Sequence, residues 1–416
     1  MEKYDVAVFG GGLSGVAAAV SAARLGRKAL LVEQSGTLGG AMAGNLVFPF
    51  MRYWTELPDG AEKMLSAGLF AEMNERQQAY IKTGRLNFHP EYFKFLLDDM
   101  VTEAGVEVLF HGTLSRVETK NRLVSKAVAA TVGGEQEVSA DFFIDATGNG
   151  DLFAFAGCDF QLGREADNLC QPMTTCFRLC NVDDEQFNKE RSAIQALYKQ
   201  YRAEGRLQNP REDILVFRHL GKGIVHFNTT RVVKHDPTDP LAVSRAEILA
   251  RRQVLEMVEF LQQNFASFRN ATLMATASGI GIRESRKLRG VHILTGEELI
   301  ACTKFEDAIA LGNYDIDIHN PEGSGTSHHY FAPGDYYTIP YRSLLPREYD
   351  NLLVAGRCIS ATHEAQASIR IMPICCTTGE AAGTAAAVAL QTGKTAHGVD
   401  VAALQTALRK NGAVID

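Results

Sequence analysis

The run with the plainest chemistry is Gly10-Gly11-Gly12-Leu13-Ser14-Gly15, a G-x-G-x-x-G loop placed directly after the apolar stretch Tyr4 to Phe9. Glycines at that spacing suit phosphate binding: Gly10 permits a tight turn, Gly12 lets the backbone approach a pyrophosphate, and Gly15 allows a helix to pack closely on the strand. The helix predicted over Val16 to Leu25 turns its N-terminal N–H groups toward the phosphates, with Leu13 and Ser14 at its entry. A second strand, Lys28 to Val32, runs into Glu33, whose carboxylate can accept hydrogen bonds from ribose hydroxyls and disfavours a phosphorylated ribose. Strand, loop, Ala-rich helix, strand and terminal acid together predict a Rossmann-type unit that binds a dinucleotide.

Two further segments bear on which dinucleotide. Gln34 to Gly40 (QSGTLGG) carries the pair Gly39-Gly40, which permits a second close backbone approach that NAD enzymes seldom need. Val138 to Gly150 reads as a strand ending in Asp145-Ala146-Thr147-Gly148, where small residues let the chain pass beside a nucleotide. Both segments resemble the large flavoprotein group that includes glutathione reductase and succinate dehydrogenase, and that resemblance implies FAD as the cofactor. It extends to Asn351-Leu352-Leu353-Val354-Ala355-Gly356-Arg357 and to Met372-Pro373 opening a Gly, Ala and Thr-rich helix. In such flavoproteins the strand lies beside the ribityl chain and the helix N-terminus faces the pyrimidine edge. The resemblance therefore implies that Gly356 and Arg357 flank the cofactor and that Ile374, Cys375 and Cys376 offer backbone N–H groups; Leu114 is added to the set expected at the nucleotide. Arg357 departs from the acid that many flavoproteins place there, which leaves the ribityl contact unassigned.

A more particular succession is Gly281-Ile282-Arg283-Glu284-Ser285-Arg286, Asp317-Ile318-His319, Ile339 to Pro346 and Gly356 to Ala365. It resembles the bacterial FAD-dependent oxidoreductase family often grouped with heterodisulfide reductases, over nearly the whole chain. A flavin exchanges hydride at N5, so the protein must hold a substrate C–H over the ring and supply an acid or base for the paired proton. His363, in the loop between the C-terminal strand and its helix, is the first candidate. Arg370, seven residues on, suits a carboxylate clamp or an oxyanion. His319 has Asp317 two residues back to orient its imidazole, and Arg283 stands at a Gly-rich entry. These four are the expected catalytic residues.

The expected fold is α/β, a Rossmann-like FAD-binding domain of the glutathione reductase type with an inserted β-rich α+β substrate domain. Residues 1–157 and 340–416 form the discontinuous FAD domain, with a helical cap at about 52–85, and 158–339 form the substrate domain. Amphipathic stretches at Glu185 to Tyr201 and Ser244 to Asn264 and short β-type runs at Ile214 to Phe217 and Ile224 to Asn228 mark the insertion. At 416 residues and a net charge of −7 without a basic run, nucleic acid is not an expected partner. The apolar start follows Glu2 and Asp5 and is broken by glycines, so a cytoplasmic protein without membrane insertion is expected. No C-x-x-C pair exists among the eight cysteines, and the Cys170, Cys176, Cys180 spacing fits neither common ferredoxin pattern; no metal is expected. The arginines on either side of Glu284 also suit an ion-pair network between domains. The leading reading is a two-electron flavoenzyme acting on a small polar substrate. An electron-transfer protein working with a redox partner, or a non-catalytic nucleotide-binding protein, are the alternatives; electron acceptor and oligomeric state stay open.

Overall fold

The computed structural model describes residues 3–218 and 220–416. The chain opens with β1 (Lys3–Phe9), α1 (Leu13–Arg24) and β2 (Ala29–Glu33). Val6 to Phe9 and all of β2 are buried, as near-continuous apolar strands covered on both faces must be. After a hairpin of Trp54–Glu56 and Glu62–Met64 come α2 (Leu69–Tyr80) and α3 (Pro90–Glu103). Then follow β3 (Glu107–Phe110), β4 (Thr113–Lys120), β5 (Leu123–Thr131) and β6 (Gly134–Asp145). The sheet order is β3-β2-β1-β6-β5-β4, parallel through β3, β2, β1 and β6 and antiparallel from β6 to β4. Segment 52–85, expected as a helical cap, is a hairpin and one helix. Phe70 of α2 packs edge-on to Phe50, 5.1 Å between ring centres, within a buried aromatic cluster that includes Phe88 and Phe93.

The middle of the chain builds a second sheet from β7 (Phe177–Cys180), β8 (Val216–Phe217), β9 (Val225–Phe227) and β10 (Thr272–Thr276), in the antiparallel order β8-β9-β7-β10. Two long helices, α4 (Asp184–Ala203) and α5 (Pro240–Asn264), share a separate apolar core with it, in which the Phe177 and Phe227 rings stack 4.6 Å apart. Each helix starts at an aspartate, Asp183 or Asp239, whose side chain accepts from first-turn N–H groups, satisfying donors that a helix cannot pair internally. A hairpin of β11 (Ile316–His319) and β12 (Thr326–His329) follows.

The chain then returns to the first sheet. β13 (Leu352–Val354) pairs parallel with β6, placing Val354 beside Asp145, and leads into α6 (His363–Ile369) and α7 (Met372–Thr392). Helix α7 lies against α1 at backbone contact: a Cβ on Gly379 would stand 2.0 Å from the Ser14 carbonyl oxygen, and one on Gly383 2.0 Å from that of Ala18. Two glycines one turn apart let the helices approach as no other side chain would. No described helix is long and apolar enough to cross a membrane.

Candidate functional site

The carboxyl ends of β1, β2 and β6 and the N-termini of α1 and α7 enclose a cavity of about 350 Å³. Its floor is glycine for identifiable steric reasons. A Cβ on Gly15 would sit 1.7 Å from the Gly10 carbonyl oxygen, so helix α1 can reach the strand only without one. Gly12 differs: its φ of −67° and ψ of 176° suit any residue, yet a Cβ there would meet nothing nearer than Gly40 Cα at 4.0 Å and would project into the cavity. The second glycine loop docks on the first, with Gly39 N donating to Gly11 O at 2.8 Å.

Polar groups converge on the same space. Glu33, buried, accepts from Gly11 N at 2.6 Å and Ser35 N at 2.7 Å, so its carboxylate is locked at the end of β2 with lone pairs to spare. Ser14 Oγ is buried without a partner among the described residues, as a hydroxyl meant for a ligand would be. Burial first of all raises the Asp145 carboxyl to about 6, against the N–H groups of Phe153 and Thr147 that it accepts from; it shapes the loop of Ala146, Thr147 and Gly148. Arg357 is half-buried and donates to Gly148 O at 2.9 Å and Asn149 Oδ1 at 2.7 Å. Loss of water around it pushes its guanidinium down from its ordinary value. Open backbone at Gly12, a helix N-terminus, the spare Ser14 hydroxyl, the Glu33 carboxylate and an uncompensated cation form a donor set that fits a dinucleotide such as FAD.

A second cavity of about 470 Å³ adjoins the first. Ala41, Asn45, Ile282, Arg357, Arg370 and Met372 line both. One side of it is polar. Arg370 Nη2 donates to Asp317 Oδ2 at 3.1 Å and to its carbonyl at 3.2 Å; Tyr314 donates to the same Oδ2 at 2.9 Å. His319 Nδ1 lies 2.9 Å from Arg231 Nη2. Arginine can only donate, so Nδ1 accepts and the ring proton sits on Nε2, 3.5 Å from Asp317 Oδ2. Burial, then the nearby Arg283 charge, pushes the imidazole down to about 3. Burial raises the Asp317 carboxyl, but the His319 hydrogen bond and the Arg370 charge outweigh it and hold the group well below the usual carboxylate range. Asp317 Oδ1 has no hydrogen-bond partner among the described residues, with His328 Nε2 3.8 Å away. Val47, Phe48, Met51, Leu215 and Phe217 add an apolar patch to the lining.

Every residue expected at the cofactor except Gly15, Ile374 and Cys376 lines the first cavity. Gly15 acts beneath it through packing, and Ile374 and Cys376 are buried in the α7 core. Of the four expected catalytic residues, Arg370, Arg283 and His319 line the second cavity. His363 lines neither. It is buried, with Nδ1 2.9 Å from Glu284 Oε1, and the same carboxylate oxygen takes Lys287 Nζ at 2.6 Å, so a three-residue buried network consumes the histidine expected nearest the flavin. The sequence suggests ion pairing around Glu284 but nothing in it links that acid to His363. Tyr314, Arg211 and Arg231 belong to the second cavity or its wall without any signal from their neighbours in sequence. All eight cysteines are free thiols. No set of three His, Cys, Asp or Glu side chains is grouped to hold a metal among the described residues.

A family model described as FAD dependent oxidoreductase matches residues 5–408. No curated protein sequence matches. Among solved structures, a geranylgeranyl bacteriochlorophyll reductase-like protein from Thermoplasma acidophilum is 14% identical, with 99% of this chain and 83% of that one covered and a TM-score of 0.48. The myxobacterial chondrochloren halogenase CndH is 13% identical over 99% of this chain and 79% of its own, with a TM-score of 0.45. CabE, an aromatic hydroxylase from angucycline biosynthesis, is 10% identical over 99% and 66%, with a TM-score of 0.49.

Proposed function

The chain belongs to the FAD-dependent oxidoreductase family, and from that premise we propose a cytoplasmic enzyme that moves a hydride between FAD and a small polar organic substrate. The observation that carries the reading is the junction of the two cavities at Arg357, Arg370 and Met372. A cofactor in the first would have its reactive end at the mouth of the second. In this reading residues 1–157 and 340–416 hold the cofactor, and 158–339 supply most of the substrate side.

When bound, FAD supplies the two-electron chemistry. The chain's own residues would hold and orient. Gly10, Gly12 and the α1 N-terminus would take the pyrophosphate, Glu33 the adenosine ribose, and the α7 N-terminus at Met372 and Cys375 the electron-accepting edge, where helix polarity favours gathering negative charge. Arg370, fixed by Asp317, lines the substrate side as a preset donor that needs no rearrangement as charge shifts, and neutral His319, fixed by Arg231, turns its single N–H toward Asp317. Apolar side chains around Phe48 and Phe217 would keep water away, strengthening each of these interactions.

The test is anaerobic. Purified protein should be yellow, release FAD on acid precipitation, and lose its visible absorption with an oxidisable substrate, or regain it after chemical reduction with a reducible one. A colourless protein that does not take up added FAD refutes the reading.

A further inference from the structure

A count of opposite charges in the second cavity leaves one cation over on the substrate side. Arg370 is paired with Asp317 at 3.1 Å, Arg211 with Asp213 at 3.2 Å, and Arg231, just behind the wall, with Glu212 at 3.3 Å. Arg357 has only neutral partners, but it also borders the first cavity, where a dinucleotide brings negative phosphates. Arg283 has no such explanation. Its Nη1 donates to Pro172 O and Thr174 Oγ1, both at 2.6 Å, and its Nη2 approaches Asn228 Oδ1 at 3.5 Å. Among the described residues no carboxylate pairs with it. Loss of water first, then the charges of Arg370, Arg211 and Arg231, push it down to about 9. A cation set into a cavity wall, facing three others and without a counter-ion, is completed only when an anion arrives.

The geometry of what remains free says which anion. With Nη1 spent on the protein, Nε and Nη2 form the two-pronged edge that grips a carboxylate side-on. Across the same cavity the buried Asp317 Oδ1 accepts no hydrogen bond among the described residues, with His328 Nε2 standing off at 3.8 Å. An apolar patch of Val47, Phe48, Leu215 and Phe217 lines the same cavity, and a volume of about 470 Å³ is too large for a two- or three-carbon acid to fill. We propose that the substrate is a carboxylic acid with an apolar body and a hydroxyl or amino group. Its carboxylate lies on Arg283, its second polar group donates to Asp317 Oδ1, and its body fills the Phe48 and Phe217 side. This assignment rests on the second cavity being the substrate site of the proposed enzyme.

Isothermal calorimetry on the FAD-loaded protein tests it, because it reads binding whether or not turnover occurs. The probes are mandelate, phenylacetate, lactate and the neutral 1-phenyl-1,2-ethanediol. Mandelate should bind tightest. Phenylacetate, lacking the donor, and lactate, lacking the body, should each bind more weakly, and the diol should be weaker than mandelate by roughly tenfold to a hundredfold, the worth of a charge-assisted hydrogen-bond pair. Arg283→Gln should lose that same factor for mandelate and phenylacetate while leaving the diol unchanged, and Arg283→Lys should recover part of it. The diol binding as tightly as mandelate in the unaltered protein overturns the proposal without recourse to any variant, and so does undiminished mandelate binding by a folded Arg283→Gln protein. Mandelate binding without bleaching of the flavin would uphold the carboxylate assignment while counting against hydride transfer, so the two readings fail separately.

Discussion

Gly12 and Gly15 stand three residues apart in one loop, yet the structure assigns them different work, and alanine at each should separate cofactor binding from folding. At Gly12 the backbone is ordinary extended chain, so alanine carries no conformational strain, and as a helix N-cap the change costs at most roughly 1 kcal/mol. The methyl group would project into the space where the pyrophosphate is expected, 4.0 Å from its nearest protein neighbour. Forcing one extra carbon into a filled site costs roughly 1–3 kcal/mol, which predicts a rise in the FAD dissociation constant of about 5- to 150-fold. At Gly15 the added carbon would stand 1.7 Å from the Gly10 carbonyl oxygen, and helix and strand must separate whether or not FAD is present. That places Gly15→Ala at or beyond the upper end of the same overpacking range, about 3 kcal/mol, charged against the fold. Fluorescence titration with FAD reads the first quantity, and thermal melts of the FAD-free variants read the second. Gly12→Ala should melt close to the unaltered protein and bind FAD poorly; Gly15→Ala should melt early. If Gly12→Ala binds FAD with unchanged affinity, the cavity is not where the pyrophosphate lies and the placement of the cofactor is wrong.

Other consequences are separately measurable. Glu380 on α7 is buried and accepts from Leu69 N at 3.0 Å; burial above all raises its carboxyl from 4.5 to about 7. The folded protein keeps a proton there that the unfolded chain has lost, so stability should fall as pH rises from about 4.5 to about 7 and level off above. Glu380→Gln should remove that loss, adding up to about 3 kcal/mol at pH 8 and nothing near pH 4.5; melts at both values that show no pH-dependent difference would contradict it. His363→Ala should act through stability, leaving Glu284 and Lys287 without their third partner at a cost of about 3 kcal/mol. Loss of flavin reduction rate at unchanged melting temperature would instead make the histidine catalytic. Because His319 is held neutral, with its imidazole pushed down to about 3, calorimetric mandelate affinity measured in a His328→Gln protein, which removes the other histidine lining the cavity, should be flat between pH 5 and 8, and a step centred near 6.5 in that protein would show that His319 titrates in the site.

What the sequence made legible follows from how local each signal is. The cofactor cavity draws on contiguous runs, Gly10 to Gly15, Glu33 to Gly40 and Ala146 to Gly148, whose glycine spacing is itself the steric requirement. Helices α4 and α5 show through their apolar periodicity within a few residues of their true ends, because each buries one stripe on the second sheet. Segment 52–85 misleads because its apolar residues, Phe70 and Met73 among them, serve a core aromatic cluster, and burial of one helix face looks alike in sequence whatever it is buried against. His363 misleads for the complementary reason. Its position along the chain matches the site, but its side chain is decided by Glu284, 79 residues away, and no local pattern carries that pairing.

Arg283 and Glu284 show how far adjacent residues can diverge once tertiary pairing is known. Both are charged groups from one Gly-rich stretch, where the sequence offers Arg283 as a catalytic candidate and, as the alternative, an ion-pair network around Glu284. In the fold Glu284 is enclosed by Lys287, His363 and the Gln171 backbone N–H, and those partners hold its carboxyl below its ordinary range against burial, which raises it. Its charge is complete without a ligand, so the group ties the Gln171 backbone and Lys287 to His363 of the returning chain. Arg283 points the other way, into a cavity shared with Arg370 and closed by Asp317, with neutral oxygens as its only partners. A buried charge compensated within the protein holds a fold together; a charge left uncompensated at a cavity wall is tolerable only as half of a pair whose other half comes from outside. By that criterion Arg283 is the cation the proposal gives to the substrate, while His363, bonded to Glu284, belongs to the network compensated within the protein.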